Sequence, residues 1–189
     1  MRPRASSTDA QGNEDGWAAE PGYSGEMDPK GQTRIVVSVP PEKLRRTHEA
    51  LLGVLRPPLG VLWRQVVDRR APGKNGAPPK DHVGLDLAFE RVLAALRGSA
   101  PAIYEDARGE LWLRGAMSEQ VVLDQDGLIY AYPDDPAFRD ALDAIGIPER
   151  DAPTMAKRDY VKHWFHAEHD ALEDRLVREL GLTVVAGRK

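Results

Sequence analysis

The pattern of apolar positions predicts a first strand that is followed directly by a helix. Residues 34–39 (RIVVSV) form a short run rich in β-branched side chains, and Pro40 and Pro41 end it, as is typical of a strand. From Pro41 onward leucines recur at helical spacing up to Pro57, and Glu42 favours the positive end of a helix. The chain after residue 33 therefore opens with a strand and a helix.

Less regular patterns follow in the next part of the chain. Residues 59–70 (LGVLWRQVVDRR) are rich in Val and Trp, which favours a second strand over a helix. Residues 71–81 (APGKNGAPPKD) are dense in Gly and Pro and predict a loop. Residues 85–96 (LDLAFERVLAAL) have helical periodicity and end near Gly98. The predicted order is strand, loop and helix.

Two turns that contain glycine predict consecutive β-hairpins. Strand-like residues 103–106 and 110–114 flank the first turn, and residues 120–124 and 128–132 flank the second. The second turn contains Asp126-Gly127, and Asp-Gly between alternating apolar residues is a strong hairpin signal because glycine takes positive φ. The pattern predicts an antiparallel meander of four strands.

Two further helices are predicted at the end of the chain. Residues 134–136 (DDP) supply an acidic cap and a proline to a short helix that ends at Gly146. A broad apolar stripe predicts one long helix from residue 153 or 156 to Leu180, with Gly181 as its terminator. The elements together predict an α+β fold, in which a mainly antiparallel sheet with two consecutive hairpins packs against three to four helices.

The first 32 residues show neither a strand period nor a helix period. Gly, Ser, Pro, Asp and Glu dominate there, so we expect too little apolar burial to offset the entropy of ordering. Trp17 and Tyr23 stand as isolated aromatic residues. The sequence predicts a disordered acidic tail over residues 1–32 and a single α+β domain over residues 33–189.

The composition narrows the class of protein. The 189 residues include no cysteine, which rules out disulfides, thiolate metal sites and cysteine nucleophiles and agrees with a reducing compartment. The polar N-terminus lacks the apolar stretch of a signal peptide, and nothing approaches the roughly 18 apolar residues of a membrane span. We therefore expect a cytoplasmic protein without a membrane partner.

Charge is distributed unevenly around a net charge of −4. Residues 33–101 carry twelve basic and six acidic side chains, whereas residues 102–151 carry four basic and twelve acidic ones. Because an acidic surface steers association with a basic protein, we predict a non-catalytic protein-binding module, of the kind found among inhibitor or immunity-type proteins. The acidic residues expected to contact this protein partner are Glu105, Asp106, Glu110, Asp134, Asp135 and Asp140.

Two alternatives stay open. The basic segment 64–80 could bind nucleic acid in a regulatory protein, although the acidic overall charge and the lack of a nucleic-acid motif rank this second. Its anion-binding residues would be Arg64, Arg69, Arg70, Lys74 and Lys80. The other alternative is an enzyme whose site is assembled in three dimensions around the histidines of the last predicted helix.

Those histidines do not match a known metal motif. His163, His166 and His169 are spaced by three, so the first and the last point about 120° apart on a helix and cannot readily share one ion. The pairs of His166 with Asp170 and of His169 with Glu173 are explained by ordinary i,i+4 electrostatics on a helix. The sequence predicts no catalytic residue, no metal and no cofactor, and His166 and His169 are the remaining candidates for a metal pair.

Overall fold

The computed structural model describes residues 1–67, 79–151, 154–163 and 165–185. Within these residues the chain forms five α-helices, an eight-stranded antiparallel sheet and a separate two-stranded sheet. This architecture confirms the predicted α+β class with a mainly antiparallel sheet.

The large sheet has the strand order β10-β5-β4-β6-β7-β8-β3-β2, and the small sheet pairs β1 with β9. All neighbouring strands are antiparallel. The strands are β1 (Ala5–Ser7), β2 (Gly22–Met27), β3 (Thr33–Ser38), β4 (Leu59–Gln65), β5 (Lys80–Leu87), β6 (Gly109–Arg114), β7 (Gln120–Leu123), β8 (Ile129–Tyr132), β9 (Tyr160–Lys162) and β10 (Thr183–Val185).

The helices cover one face of the large sheet. They are α1 (Pro41–Leu52), α2 (Phe89–Gly98), α3 (Ala100–Tyr104), α4 (Pro136–Ala144) and α5 (Asp170–Leu180). Alternate residues of β4, such as Val61 and Trp63, share one apolar core with residues from all five helices. Leu62 and Trp112 lie on the opposite face, which carries none of the five helices of the described residues. None of the helices among the described residues is long and apolar enough to span a bilayer.

Several local predictions are confirmed. β3 and α1 follow each other as expected, and β4 occupies the start of the predicted second strand. Asp135 caps α4 by accepting a hydrogen bond from the Ala137 backbone N–H, at 2.8 Å. Gly181 ends α5 in the left-handed conformation with φ of 64°. In each case the signal lies within a few residues of the element it controls.

The second predicted hairpin is present and the first is not. β7 and β8 flank a turn at Asp124–Leu128, in which Gly127 has a φ of 81°. The prediction that residues 103–106 form a strand is wrong, because Ile103 and Tyr104 belong to α3 and both are fully buried. Alternating strand geometry would place only one of two adjacent residues in the core. The meander is therefore β6-β7-β8.

Two helix predictions need correction. The predicted helix over residues 85–96 begins late, because β5 continues to Leu87 and α2 begins at Phe89. The long final helix is wrong before residue 170, where the chain forms 3₁₀ turns at Met155–Lys157 and Ala167–His169 and strand β9 between them. β9 is fixed by pairing with β1, a partner about 155 positions away that helical periodicity cannot reveal. Most of the predicted loop at 71–81, like Trp164, lies outside the described residues.

Two segments of the region predicted as a disordered tail form strands, β1 at Ala5–Ser7 and β2 at Gly22–Met27. β2 is the edge strand next to β3, and Tyr23 on β2 is 2% exposed and lies in the core. Arg4 is 3% exposed and precedes β1. These residues gain their partners from distant parts of the chain, so their composition by itself underestimates the burial that they achieve.

Candidate functional site

The six predicted acidic residues do not form one surface. Glu105 and Asp106 directly precede β6, whereas Asp134 and Asp135 follow β8 at the side of the sheet where β6 ends. A six-residue strand spans about 17 Å from its first to its last Cα atom. The structure therefore separates the acidic segment into two groups at opposite ends of the sheet.

Asp106 cannot contact a partner, because its side chain is fully buried. Its Oδ2 accepts hydrogen bonds from Arg108 Nε at 2.9 Å and Arg108 Nη2 at 2.6 Å. The charged local sequence predicts a carboxylate at the surface here, and it gives no sign that Arg108 turns inward with Asp106. The prediction of Asp106 as a partner-binding residue is thus corrected by its burial.

Arg108 is the centre of a buried ion-pair network. It donates to Asp170 at 2.8 Å, to Glu173 at 3.1 Å and to the backbone carbonyl of His166 at 2.7 Å. Burial would lower the pKa of Arg108, but the hydrogen bonds and charges of Asp106 and its other partners outweigh it and hold the pKa above its ordinary value. Arg108 therefore stays charged and links the start of β6 to the start of α5.

Glu173 extends this network to the centre of the sheet. Its Oε1 accepts hydrogen bonds from Trp63 Nε1 and Gln65 Nε2, both at 3.0 Å, and its Oε2 accepts from Arg108. A buried carboxylate with partners on both oxygens avoids the cost of an unpaired charge. The network fixes the position of α5 against β4 and β6.

The histidines sit at the edge of this network instead of on one helix. His169 is buried and its Nδ1 lies 3.3 Å from Asp106 Oδ2, the atom to which the His166 backbone N–H also donates. His163 is separate, with its Nε2 2.8 Å from Ser6 Oγ. No group of three or more His, Asp or Glu residues in the described parts of the chain is arranged to hold a metal ion. His166 and His169 therefore contribute to the hydrogen bonding around Asp106 and Arg108.

The basic segment is only partly described. Arg64 lies on β4 and forms two hydrogen bonds to Asp81, at 2.9 and 3.0 Å, and these bonds raise the pKa of Arg64. Lys80 begins β5 and also has an interaction partner. Arg69, Arg70 and Lys74 lie outside the described residues. Within the described part of the segment, the charge of Arg64 is thus balanced by a neighbouring carboxylate.

Glu110 and Glu105 lie away from the predicted acidic residues at the other end of the sheet, Asp134, Asp135 and Asp140. Glu110 is on the face of the sheet without helices, where it accepts hydrogen bonds from Trp112 at 3.2 Å and Gln125 at 2.9 Å. Glu105 follows α3 and is half-buried. Neither residue adds to the charge around α4.

Five acidic residues lie on α4 or within five residues of its ends, and we call them the α4 acidic surface. Arg139 pairs with Asp134 at 2.8 Å and with Glu149, whereas Arg150, which follows Glu149, pairs with Glu20 at 2.9 Å. Asp135 and Asp140 are exposed and form no ion pair with any described residue. The members of the surface are Asp134, Asp135, Asp140, Asp143 and Glu149.

Three members of this surface, Asp134, Asp135 and Asp140, are among the six contact residues predicted from the sequence, and Asp143 and Glu149 are not. Asp143 is exposed and accepts a hydrogen bond from Tyr23 OH at 3.1 Å; burial of the ring and then this bond raise the pKa of Tyr23. The spacing of Asp140 and Asp143 by three on a predicted helix indicates that both lie on the same face, because residues three apart are neighbours on a helix surface. Glu149 joins the surface only through Arg139, a contact that helical spacing does not show.

Comparison with protein-family models, with curated proteins and with solved structures finds no match to this chain. A functional assignment therefore depends on the geometry and the charge of the chain itself.

Proposed function

We propose that this chain is a non-catalytic protein-binding module that binds a basic protein partner through the α4 acidic surface. The observation that supports it most is the charge balance there: five carboxylates lie around one short helix, Arg139 pairs with two of them, and Arg150, next to Glu149, pairs with Glu20 outside the set. Carboxylates held close together repel each other, and a basic partner relieves this repulsion on binding.

The position of α4 supports the same proposal. Phe138 and Leu142 are 1% and 0% exposed and fix the inner face of the helix in the core. The outward carboxylates of Asp140 and Asp143 are thereby held on a regular element, so binding does not require the backbone to order. A surface of this kind increases the association rate and makes it sensitive to ionic strength.

The proposal keeps Asp134, Asp135 and Asp140 from the predicted binding residues. Asp106 is left out because it is buried, and Glu105 and Glu110 because they lie at the other end of the sheet. The interacting surface is therefore smaller than the full acidic segment.

The test is affinity capture from the native host with the immobilised chain, followed by binding measurements with the captured protein. Asp140→Lys replaces an exposed residue that forms no ion pair with the described residues, so the fold should be kept. We expect a captured protein with a basic surface, and about tenfold or greater weakening by Asp140→Lys, since an attractive charge pair becomes repulsive. The weakening should shrink at high salt.

Glu90→Lys is the matched control. Glu90 is exposed at the start of α2 and gives the same change in net charge at a different place. The control should bind as the native chain does. The proposal is overturned if Asp140→Lys leaves binding unchanged, or if Glu90→Lys weakens it equally, because the effect would then come from overall charge.

A further inference from the structure

A cavity of about 270 Å³ lies between the N-terminal segment, residues 1–19, and one end of the large sheet. Residues 3–7 and 16–19 form one side of this N-terminal cavity. The other side comes from the junction of β3 with α1, from the turn between β7 and β8, and from Met155. The cavity is thus lined by parts of the chain that are distant in sequence, and it is open to solvent on one side.

The N-terminal wall of the cavity is anchored by a buried arginine. Arg4 donates to the backbone carbonyls of Ile103 and Gly109, and to that of Gln125 at 3.4 Å. Burial lowers the pKa of Arg4 to about 10, so Arg4 is still charged at neutral pH. The N–H groups of its side chain donate to these carbonyls inside the protein, and Arg4 thereby holds the N-terminal side of the cavity in place.

Arg158 holds the second part of the wall. It donates to Ser7 Oγ at 2.6 Å and to Asp15 at 2.8 Å, and its guanidinium lies 4.9 Å from the ring centre of Trp17. β1 also pairs with β9. The cavity is therefore bounded by fixed elements and is formed before any ligand arrives.

The lining is mainly apolar and includes groups that suit an aromatic ring. Trp17, Leu44, Leu128 and Met155 line the cavity, and both aromatic and thioether side chains make favourable contacts with aromatic molecules. A dry cavity of about 150 Å³ in another protein binds benzene, so this larger cavity has room for two fused rings.

The hydroxyl of Ser38 and the carboxylate of Glu14, both at the cavity, can each accept a hydrogen bond from a ligand. Ser38 lines the cavity and is 4% exposed, and its hydroxyl forms no hydrogen bond with the described residues. Glu14 also lines it and keeps its carboxylate largely in solvent. We propose that the N-terminal cavity binds a compact aromatic molecule of one or two fused rings whose N–H or O–H group donates to Ser38.

The first test uses indole as the probe and the methyl signals of the four methionines as the readout. Met155 lines the cavity, whereas Met27 and Met117 are each 68% exposed and serve as internal controls. Indole should shift the Met155 methyl signal in a saturable way and leave the two controls unchanged. The proposal is overturned if Met155 does not shift at millimolar indole, or if the exposed methionines shift equally.

The second test uses one variant that fills the N-terminal cavity and another that removes the hydrogen bond to Ser38. Ala19→Phe places a ring in the cavity from the N-terminal side and should abolish the indole-dependent shift of Met155. Ser38→Ala should weaken indole binding about fivefold, the effect of one neutral hydrogen bond, and leave 1-methylindole binding unchanged because that probe has no N–H. Circular dichroism confirms that each variant is folded.

Each outcome of the second test decides one part of the proposal. Undiminished indole binding by a folded Ala19→Phe variant places the probe elsewhere and overturns the site. If Ala19→Phe does not fold, Trp17→Ala takes its place, and unchanged indole binding then has the same meaning. Equal weakening of indole and 1-methylindole by Ser38→Ala overturns the assigned hydrogen bond.

Discussion

His48 provides the sharpest test of the core, because a titratable ring is enclosed there without a charged partner. It lies on α1 and is fully buried, with its Nδ1 2.9 Å from Tyr104 OH. Burial lowers the pKa of His48 from 6.5 to about 3, and the charge of Glu49 only partly offsets the effect. The imidazole is therefore neutral in the folded protein throughout the usual pH range.

The sign of the effect follows from proton uptake by the unfolded chain. Below pH 6.5 the unfolded state binds a proton at His48 that the folded state does not bind, so stability falls as the pH falls towards 3. At pH 5 this loss is about 2 kcal/mol relative to neutral pH. A loss of this size is large enough to measure in a single domain.

Asp124 affects the pH dependence of stability in the direction opposite to His48, so the two contributions must be measured separately. Burial first, and then the nearby charge of Asp126, raise the pKa of Asp124 from 3.8 to about 6. The folded state therefore binds this proton more readily, which adds about 1 kcal/mol of stability between neutral pH and pH 5. The native protein shows only the difference of the two effects, so the comparison with a variant is decisive.

The assay is urea unfolding at pH 7.5, 6.5, 5.5 and 5.0, followed by circular dichroism, with native protein and His48→Asn. The asparagine side chain of this variant keeps a polar partner for Tyr104 and removes the titrating group. We expect the native protein to lose about 2 kcal/mol more than the variant between pH 7.5 and 5. Tyr104→Phe is the control that retains His48, and it should keep the pH slope of the native protein. Parallel curves for native protein and His48→Asn would refute the reasoning.

Three further predictions concern buried polar groups and close packing. Asp124→Asn should be up to about 3 kcal/mol more stable than the native chain at pH 7.5. Above pH 6 the buried Asp124 carboxyl is ionised, which destabilises the folded state, and asparagine carries no charge. Equal stability of the two proteins in thermal melts at pH 7.5 would contradict this. Arg4→Met should lose about 3–5 kcal/mol in urea unfolding, since buried carbonyls and Asp124 lose their cationic partner; a loss below about 1 kcal/mol would show that Arg4 is not buried as described. Gly109→Ala should lose about 1–3 kcal/mol, because its Cβ would lie 2.5 Å from the Trp63 ring; an unchanged unfolding midpoint would count against that contact.

The sequence by itself determined the elements whose signals are local. The Asp124–Leu128 turn needs a glycine with positive φ, and Gly127 supplies it. The start of α4 is set by the Asp135 cap and the end of α5 by Gly181. These signals act within three or four residues, so they can be read without knowing what packs against them. The α+β class follows from such elements taken together.

The tertiary structure decided how charges and distant strands are used. The chain near Arg4 is polar and aperiodic, yet Arg4 meets the carbonyls of Ile103 and Gly109, about one hundred positions away. Asp106 belongs to an acidic stretch, but it is buried and its carboxylate contacts Arg108 and His169. Long-range partners such as these are set by the strand order of the sheet, which local periodicity does not encode.

The acidic segment shows the same division between sequence and structure. Its composition correctly marks a region of negative charge, but the length and direction of β6 place Glu105 and Asp135 at opposite ends of the strands. The residues that remain together do so because α4 presents them on one side and Arg139 connects Asp134 to Glu149. Charge is a property of the sequence, whereas a charged surface exists only after the chain has folded, because folding sets the distances between the charges.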